Sequence, residues 1–342
     1  MTTEIETTPP LPMQRILFGS PGTGKSHKVH KTYLKDFDTD KVFKTVFHPE
    51  YKYGDFMGRL IPLTDETGQV RYEYQAGHFL KALAKAYQCW LEKGDEEAKP
   101  VALVIDEINR GNSSAIFGTV FQLLDRDDDG WSSYQLDLSA VERDRLLKEM
   151  GYKPDKNKQS NGKPTSYIKD NDNPQTETFV GVDDKGLVAN GKIKLPPNLS
   201  IFATMNTSDE SIYYMDSAFK RRWDWEFVPV EKVTEDEQPK QMGNAFNTEA
   251  EWDEFVSKLN GFIKSNSKHI RKVEDKFIGH YFLKAPYTYD KIQSKLMFFL
   301  WDSVFSHDKA PLNALLGEDT LVTFGDFANK VVEFVKKIDE LQ

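Results

Sequence analysis

Residues 19–26 read Gly-Ser-Pro-Gly-Thr-Gly-Lys-Ser (GSPGTGKS), and this stretch decides the fold. It follows the short apolar run 15–18 (RILF), which is typical of a buried strand, and a helical segment begins near Lys25. The pattern G-x-x-x-x-G-K-[ST] between a strand and a helix predicts a phosphate-binding loop. Glycines let backbone N–H groups converge on phosphate oxygens, and the helix N-terminus adds positive potential.

Two side chains of this loop carry specific expectations. Lys25 is expected to reach the β- and γ-phosphates of a nucleotide, and the Ser26 hydroxyl is expected to ligate Mg²⁺. The alternative, a chance Gly-rich turn, arises in roughly one chain in a hundred of this length. The predicted phosphate-binding residues are Gly19, Pro21, Gly22, Thr23, Gly24, Lys25 and Ser26.

Asp106 and Glu107 directly follow the apolar run 101–105 (VALVI). Such a continuous β-branched run favours a central parallel strand covered on both faces. At the end of that strand Asp106 can hold the hydration shell of Mg²⁺, and Glu107 can orient and polarise an attacking water. An ordinary acidic turn is the alternative for the pair alone, and the phosphate loop upstream favours the catalytic interpretation.

The remaining pattern predicts a parallel α/β core followed by a small helical bundle. We expect a flexible tail at 1–12, a nucleotide-binding domain at 13–230 and a helical domain at 231–342 that begins with a polar linker. A polar, turn-rich insertion is predicted at about 125–194, with a hairpin, mobile loops and one brief helix at 140–150. Its first run, 125–129 (DRDDD), is interpreted as a solvated loop. The other expected core strands are 42–47 and 199–204, and the expected helices are 78–91, 114–124, 252–263, 291–305 and 324–341.

Composition restricts the class of protein. The chain has 342 residues, 39% of them apolar, with a net charge of −9 and a pI near 5.4. The acidic balance lowers the expectation of a nucleic-acid-binding surface, although a ring can concentrate its basic groups on one face. No apolar stretch approaches the ~20 residues that span a bilayer. The single cysteine, Cys89, is predicted to be a core thiol, which fits a reducing cytoplasm.

Three further strings resemble one known family. They are IDEINR (105–110), MNTSDES (205–211) and FKRRW (219–223), and together with the phosphate loop they resemble the McrB family. FHPEYKYGDFMG (47–58) and FIGHYF (277–282) look like two more segments of that family. The resemblance implies the AAA+ P-loop NTPase fold with a helical lid. It also implies a cytoplasmic ring, usually a hexamer, that couples hydrolysis to action on DNA through a nuclease subunit of McrC type. This resemblance favours GTP as the nucleotide. ATP is the alternative, because a phosphate loop binds the triphosphate and does not distinguish guanine from adenine.

The same resemblance assigns roles to four residues. Asn206 resembles the sensor that hydrogen-bonds the γ-phosphate or the attacking water, and Asp209 resembles a residue that helps place that water. A plain turn or helix cap is the alternative for both. Arg221 and Arg222 resemble arginines that project onto the nucleotide of a neighbouring subunit, as an arginine finger does. The alternative is a solvated basic helix end, and the sequence does not decide which arginine reaches the phosphate.

Two departures from the family limit what the resemblance implies. McrB proteins usually carry an N-terminal DNA-recognition domain, whereas here the phosphate loop begins at residue 19. We therefore expect either that another subunit reads the target or that the chain is a motor without a reader. The insertion at 125–194 is the second departure. It could dock a partner or contact DNA, or it could be a tolerated surface insertion.

Three functions compete at this stage. The leading one is an NTP-hydrolysing motor of a DNA-restriction or antiviral defence system that acts with a nuclease. The second is a MoxR-like AAA+ chaperone that remodels a protein partner, and the third is a nucleotide-gated scaffold with negligible turnover. MNTSDES favours the first over the second, and the complete set Lys25, Asp106, Glu107 and Asn206 argues against the third. The aromatic residues Phe47, Tyr51, Tyr53 and Phe56 could stack on bases, with core packing as the alternative.

Overall fold

The structure is a computed structural model, and most of the chain is described in it. The described residues are 12–93, 98–155, 157–160, 163–164, 166–170, 178–182, 186–206, 213, 215–229, 243–317 and 321–341. The predicted N-terminal tail lies outside these ranges except for Pro12. The first part of the predicted linker, 231–242, also lies outside them.

Strands alternate with helices in the first half of the described chain, and helices dominate its C-terminal part. The strands are β1 (Gln14–Gly19), β2 (Val42–Val46), β3 (Gly58–Thr64), β4 (Val70–Ala76), β5 (Val101–Asp106), β6 (Leu136–Asp137), β7 (Tyr152–Pro154), β8 (Gln159–Ser160), β9 (Lys163–Pro164), β10 (Tyr167–Lys169), β11 (Lys192–Ile193), β12 (Leu199–Asn206), β13 (Asp224–Phe227), β14 (Asn244–Phe246) and β15 (Tyr287–Thr288).

The helices differ in length from one turn to more than four. The α-helices are α1 (Lys25–Lys28), α2 (Tyr53–Phe56), α3 (His78–Lys93), α4 (Ser113–Phe117), α5 (Ala140–Glu149), α6 (Ser217–Lys220), α7 (Glu249–Ser265), α8 (Tyr289–Lys291), α9 (Ala310–Leu316), α10 (Phe324–Ala328) and α11 (Val331–Asp339). Turns of π-helix cover Val29–Tyr33, Ile292–Met297 and Leu300–Val304. Turns of 3₁₀-helix cover Thr39–Lys41, Ile108–Arg110, Gly118–Leu124, Ser267–His269, Val273–Lys276 and His280–Phe282.

The central sheet has the strand order β13-β1-β12-β5-β2. Strand β5 pairs in parallel with both β12 and β2. Its apolar residues 101–105 are at most 2% exposed, as a strand covered on both faces requires. The predicted class, an α/β fold with a central parallel sheet, is confirmed.

The chain packs as two compact units. The first comprises the described residues within 1–14, 26–205 and 210–215, and the second comprises those within 15–25, 206–209 and 216–342. The second unit therefore contains residues 19–25 of the phosphate loop together with β13 and the C-terminal helices, and Ser26 belongs to the first unit.

The described part of the insertion contains a helix and short strands within the first unit. Its predicted helix is α5, which starts with a reciprocal cap between Ser139 and Glu142. The Ser139 hydroxyl accepts a hydrogen bond from the Glu142 N–H, and the Glu142 carboxylate accepts one from the Ser139 N–H. Leu146 and Leu147 of this helix are fully buried. The insertion therefore contributes to an apolar core, besides the short antiparallel pair β7–β10.

The interpretation of 125–129 as a solvated loop is wrong for Arg126. Its guanidinium donates to the carbonyl oxygens of Gly130 (2.8 Å), Pro196 (3.0 Å) and Leu199 (2.8 Å) and to Oε1 of Gln14 (2.7 Å). Five donors in a fixed fork can satisfy several carbonyls at once, which explains why this half-buried cation is held against the protein and not extended into solvent. The three aspartates that follow Arg126 are exposed, as predicted.

A hairpin formed by β3 and β4 was not predicted from the sequence. The two strands pair antiparallel over their whole length, from Gly58 opposite Ala76 to Thr64 opposite Val70. Apolar side chains such as Leu60 and Tyr72 are 56% and 71% exposed. Strand β4 (VRYEYQ, 70–75) alternates apolar and polar residues and is the local signal that could have found the hairpin, whereas β3 (GRLIPLT) shows no such alternation.

Three of the four aromatic residues that could have stacked on bases belong instead to the core, and the fourth, Tyr53, is half-buried. Phe47, Tyr51 and Phe56 are at most 7% exposed. The Phe47 ring lies 4.9 Å from that of Tyr51 and 6.0 Å from that of Phe56. Cys89 is also buried, and burial raises the pKa of its thiol. These four side chains therefore stabilise the first unit by packing.

The second unit is held together by an aromatic cluster beside the phosphate loop. Phe18, the residue before Gly19, has its ring 5.2 Å from the ring of Phe298 and 5.8 Å from that of Trp225. Trp225 and Phe298 stack with their centroids 4.0 Å apart. Strand β13 and the helical segment around Phe298 thus pack on the strand that leads into the loop.

The predicted apolar stripe at 252–263 is confirmed on α7, with one difference. Trp252, Phe255, Val256, Leu259 and Ile263 are buried, whereas Phe262 is only half-buried. The helix begins at a capping box that Thr248 forms with Glu251. No helix among the described residues is both long and apolar enough to cross a membrane.

Candidate functional site

The phosphate loop connects the end of β1 to the start of α1, as the sequence predicts. Gly22 and Gly24 have φ values of +80° and +84°, a left-handed region that is unfavourable for residues with a Cβ. The Thr23 hydroxyl donates to the carbonyl of Ser20 over 3.0 Å and closes the turn. The two glycines are therefore required by the backbone shape of the loop.

Lys25 is the buried cation of the loop. Its side chain turns back, and Nζ donates to the carbonyl oxygens of Gly19 (3.1 Å) and Ser20 (2.7 Å). The residue is only 6% exposed. The ammonium group thus lies within the curve of the loop, where a positive charge attracts phosphate oxygens.

Ser26, Asp106 and Thr204 form a hydrogen-bonded cluster in the first unit. The Ser26 hydroxyl donates to Oδ1 of Asp106 over 3.1 Å. The Thr204 hydroxyl donates to the same oxygen over 2.8 Å. The register explains the contact: Ala203 of β12 pairs with Ile105 of β5, so the next residue on each strand reaches the same edge of the sheet.

Thr204 also contacts Glu107, because its hydroxyl accepts a hydrogen bond from the Glu107 N–H over 3.3 Å. Glu107 adopts a left-handed backbone conformation (φ 56°, ψ 48°), which is uncommon for a residue other than glycine. Non-glycine residues held in this region cluster at functional sites, where the surroundings fix a side chain in one direction. The single Thr204 hydroxyl therefore fixes both acidic residues of the predicted pair.

Replacing Thr204 by Val is expected to lower the turnover number for nucleotide hydrolysis about tenfold, which corresponds to ~1.4 kcal/mol of lost transition-state stabilisation. Val has the shape of Thr without the hydroxyl, so Asp106 and the Glu107 N–H each lose a partner. Thr204→Ser is the matched control and keeps most of the wild-type rate. Steady-state phosphate release measures both variants, and equal rates for Val and Ser would contradict the role of the hydroxyl.

The donor set at Ser26 and Asp106 fits Mg²⁺. A hydroxyl and a carboxylate are the hard oxygen ligands that Mg²⁺ prefers, and this ion usually keeps several waters and few protein ligands. In the described part of the chain, no group of three or more His, Cys, Asp and Glu side chains could hold a metal by itself. The sparse site therefore suits an ion that shares its coordination with phosphate oxygens.

His30, in the π-helical turn after α1, does not neutralise this acidic cluster. Burial and the nearby Lys44 lower the pKa of His30 below its usual value, and the charge of Asp106 opposes the shift only in part. The surroundings of His30 therefore favour its neutral imidazole over the charged form.

Asn206 is the last residue of β12, two residues after Thr204, and it is half-buried. A strand end is the predicted position for this amide. Asp209, which was expected to help place the attacking water, lies outside the described residues. Its role stays a prediction.

The two candidate arginines follow the short helix α6 in the second unit. The Arg222 guanidinium donates to the carbonyl of Ala218 over 2.7 Å and is half-buried. Arg221 is exposed, and its guanidinium has no hydrogen-bond or ion-pair partner among the residues that the structure describes. Of the two arginines, Arg221 is the one whose guanidinium is available to a group outside the subunit.

Thr204 is a functional residue that sequence reasoning missed. In the string LSIFAT it reads as an ordinary β-branched strand residue. The signal that could have found it is its position opposite the acidic pair on the neighbouring strand, which requires the register of two strands that lie far apart in the sequence.

Comparisons with known proteins give one family and two relatives. The model of the AAA domain (dynein-related subfamily) matches residues 14–223. The Bacillus subtilis protein "Type II restriction enzyme BsuMI component YdiS" is 28% identical over 326 residues, covering 87% of this chain and 81% of that protein. The Escherichia coli "Type IV methyl-directed restriction enzyme EcoKMcrB subunit" is 25% identical over 221 residues. That match covers 63% of this chain and 35% of the McrB subunit, about a third of its length.

Proposed function

Because the chain belongs to the AAA domain family, in its dynein-related subfamily, we propose that it hydrolyses a nucleoside triphosphate at its phosphate loop to power a DNA-restriction or antiviral defence complex. The predicted McrB-like resemblance is confirmed, since both relatives are components of restriction enzymes. Nucleotide hydrolysis is the general activity of this family.

One observation carries the proposal for this chain. Ser26, which closes the phosphate loop, hydrogen-bonds Asp106, and the adjacent Glu107 is held in a left-handed conformation. A chance Gly-rich turn gives no reason for an acidic strand end to contact the last residue of the loop. A hydrolytic site needs this arrangement, because the metal ligands and the water-activating carboxylate must meet at the phosphates.

Each residue then has a defined task. Lys25 neutralises charge on the β- and γ-phosphates, and Ser26 and Asp106 would hold Mg²⁺, which would supply further charge neutralisation. The Glu107 carboxylate accepts a proton from the attacking water and orients its lone pair toward the γ-phosphorus. Asn206 donates a hydrogen bond to the γ-phosphate or to that water.

The site is proposed to be completed by a second copy of the chain. Arg221 extends into solvent and would neutralise charge on the phosphoryl group of the neighbouring subunit. The Arg222 guanidinium is hydrogen-bonded to the Ala218 carbonyl, and its proposed role is to stabilise α6. A ring of identical subunits, a hexamer by family resemblance, places one arginine at every interface.

The finer assignments follow from the relatives. A nuclease subunit of McrC type is the proposed partner, and DNA is contacted through the complex. GTP is the proposed substrate in preference to ATP, on the resemblance to McrB alone.

Hydrolysis assays with GTP and ATP test the proposal, run with and without DNA and with the nuclease encoded by a neighbouring gene. We expect Mg²⁺-dependent turnover that increases when the nuclease is added. Stimulation by a folded protein substrate, with no response to a nuclease, would instead favour a MoxR-like chaperone. Nucleotide binding without turnover under every condition would favour a scaffold.

A further inference from the structure

The helix that precedes Arg221 is fixed at both ends. At its start, the Asp216 carboxylate accepts a hydrogen bond from the Phe219 N–H over 2.7 Å. At its end, the indole Nε1–H of Trp225 donates to the carbonyl of Lys220 over 3.0 Å. The backbone that carries Arg221 is thus held by side chains on either side of it.

A third contact joins this helix to the C-terminal helices of the second unit. Lys220 Nζ lies 2.7 Å from Oδ2 of Asp302, in the π-helical turn Leu300–Val304. The two side chains are 11% and 30% exposed, so solvent screens this ion pair less than it screens a surface pair. The Ser303 hydroxyl donates to the same Asp302 oxygen over 3.1 Å and fixes the carboxylate.

The two lysines that share a crevice with Arg221 are each paired with a carboxylate of their own. Lys220, Arg221 and Lys295 line one crevice, over an aromatic floor that includes Trp225. Asp302 neutralises Lys220, and Asp224 lies 3.4 Å from Lys295. Loss of the Asp302 charge would remove the ion pair that holds the Lys220 side chain, the last residue of α6, in the crevice that Arg221 also lines.

We propose that Asp302 is a positioning residue for Arg221, acting through Lys220; this inference rests on the proposed role of Arg221 at a neighbouring nucleotide. The Lys220–Asp302 ion pair makes the position of the arginine depend on the helical segment that carries Asp302. A displacement of that segment within one subunit is thereby transmitted to the catalytic site of the next.

A double-mutant cycle on the assembled protein tests the inference. Asp302→Asn is expected to lower kcat about tenfold and to leave KM within about twofold, because the chain's own phosphate loop is untouched. In the Arg221→Ala background the same substitution is expected to have no further effect, since Asp302 acts only through the arginine. Asp339→Asn is the matched control, because that carboxylate accepts an ion pair from Lys258 elsewhere in the C-terminal helices (3.4 Å).

The outcomes separate the inference from the function on which it rests. Equal fold-losses from Asp302→Asn in both backgrounds, or no loss in either, overturn the positioning role and leave the role of Arg221 intact. If Arg221→Ala turns over nucleotide at the wild-type rate, both the positioning role of Asp302 and the proposed role of Arg221 are overturned. Lys220→Met removes the other partner of the ion pair, and the same double-mutant cycle with Arg221→Ala is repeated with it. The melting temperature of each variant is measured alongside. Recovery of kcat in Asp302→Glu supports the inference, because it shows that the loss in Asp302→Asn depends on the carboxylate charge and not on a general disruption of the fold.

Discussion

Replacing Glu107 by Gln is expected to lower steady-state nucleotide turnover by at least about 100-fold, while nucleotide affinity stays near that of the wild type. The amide keeps the shape of the side chain but cannot accept the proton of the attacking water. Because Gln has the same tolerance for a left-handed backbone as Glu, the conformation at this position should persist (φ 56° in the wild type). Phosphate release measures turnover, and titration with a fluorescent nucleotide measures affinity.

The matched control for this substitution is Glu66→Gln in the turn between β3 and β4, where the side chain is exposed and lies outside the site. Its turnover should equal that of the wild type. Equal rates for Glu107→Gln and the wild type would remove Glu107 from the catalytic assignment. A parallel loss of affinity would show instead that the substitution damages the nucleotide site.

Replacing Arg221 by Ala is expected to lower turnover about 1,000-fold, the lower end of the range for an arginine finger. Arg222→Ala should cost much less, because the Arg222 guanidinium is bonded within its own subunit to Ala218. Steady-state phosphate release from the two variants distinguishes the adjacent arginines. A larger loss for Arg222→Ala would reverse the assignment.

Mixing two inactive variants tests whether the arginine acts across an interface. Subunits with Arg221→Ala retain Glu107, and subunits with Glu107→Gln retain Arg221. In random rings made from an equal mixture, about a quarter of the interfaces combine both intact residues, so turnover should reappear. Full hydrolysis by a strictly monomeric wild-type preparation would contradict the shared site.

Much of the α/β core could be predicted because its signals are local. The glycines of the phosphate loop, the apolar run 101–105 and the start of α4 each lie within a few residues. For α4, the side-chain Oδ1 of Asn112 accepts a hydrogen bond from the Ala115 N–H, as expected of a cap. The helix predicted at 114–124 was less accurate, since α4 ends at Phe117 and a 3₁₀ turn follows from Gly118. Gly118 has φ 50°, which interrupts the α-helix.

The contacts that could not be predicted join residues far apart in the sequence. The Thr204 hydroxyl depends on the register of β12 against β5, and the Asp302 carboxylate depends on how the C-terminal helices pack near α6. Arg126 stands in an acidic run, so the local charge pattern favoured solvent. Its half-buried position becomes understandable only when the carbonyls of Gly130 and Leu199 are brought together by the fold.

The Arg126 guanidinium also determines how freely the insertion can change. It binds Gly130 at the beginning of the insertion and Pro196 just beyond its end, so both ends are anchored to one group. The Leu199 carbonyl on the same guanidinium ties that anchor to the strand that carries Thr204. Segments between such closed ends can be lengthened, shortened or exchanged with little effect on the scaffold. Arg126 thus holds both ends of the insertion at one point of the first unit, next to the strand whose Thr204 hydroxyl contacts Asp106.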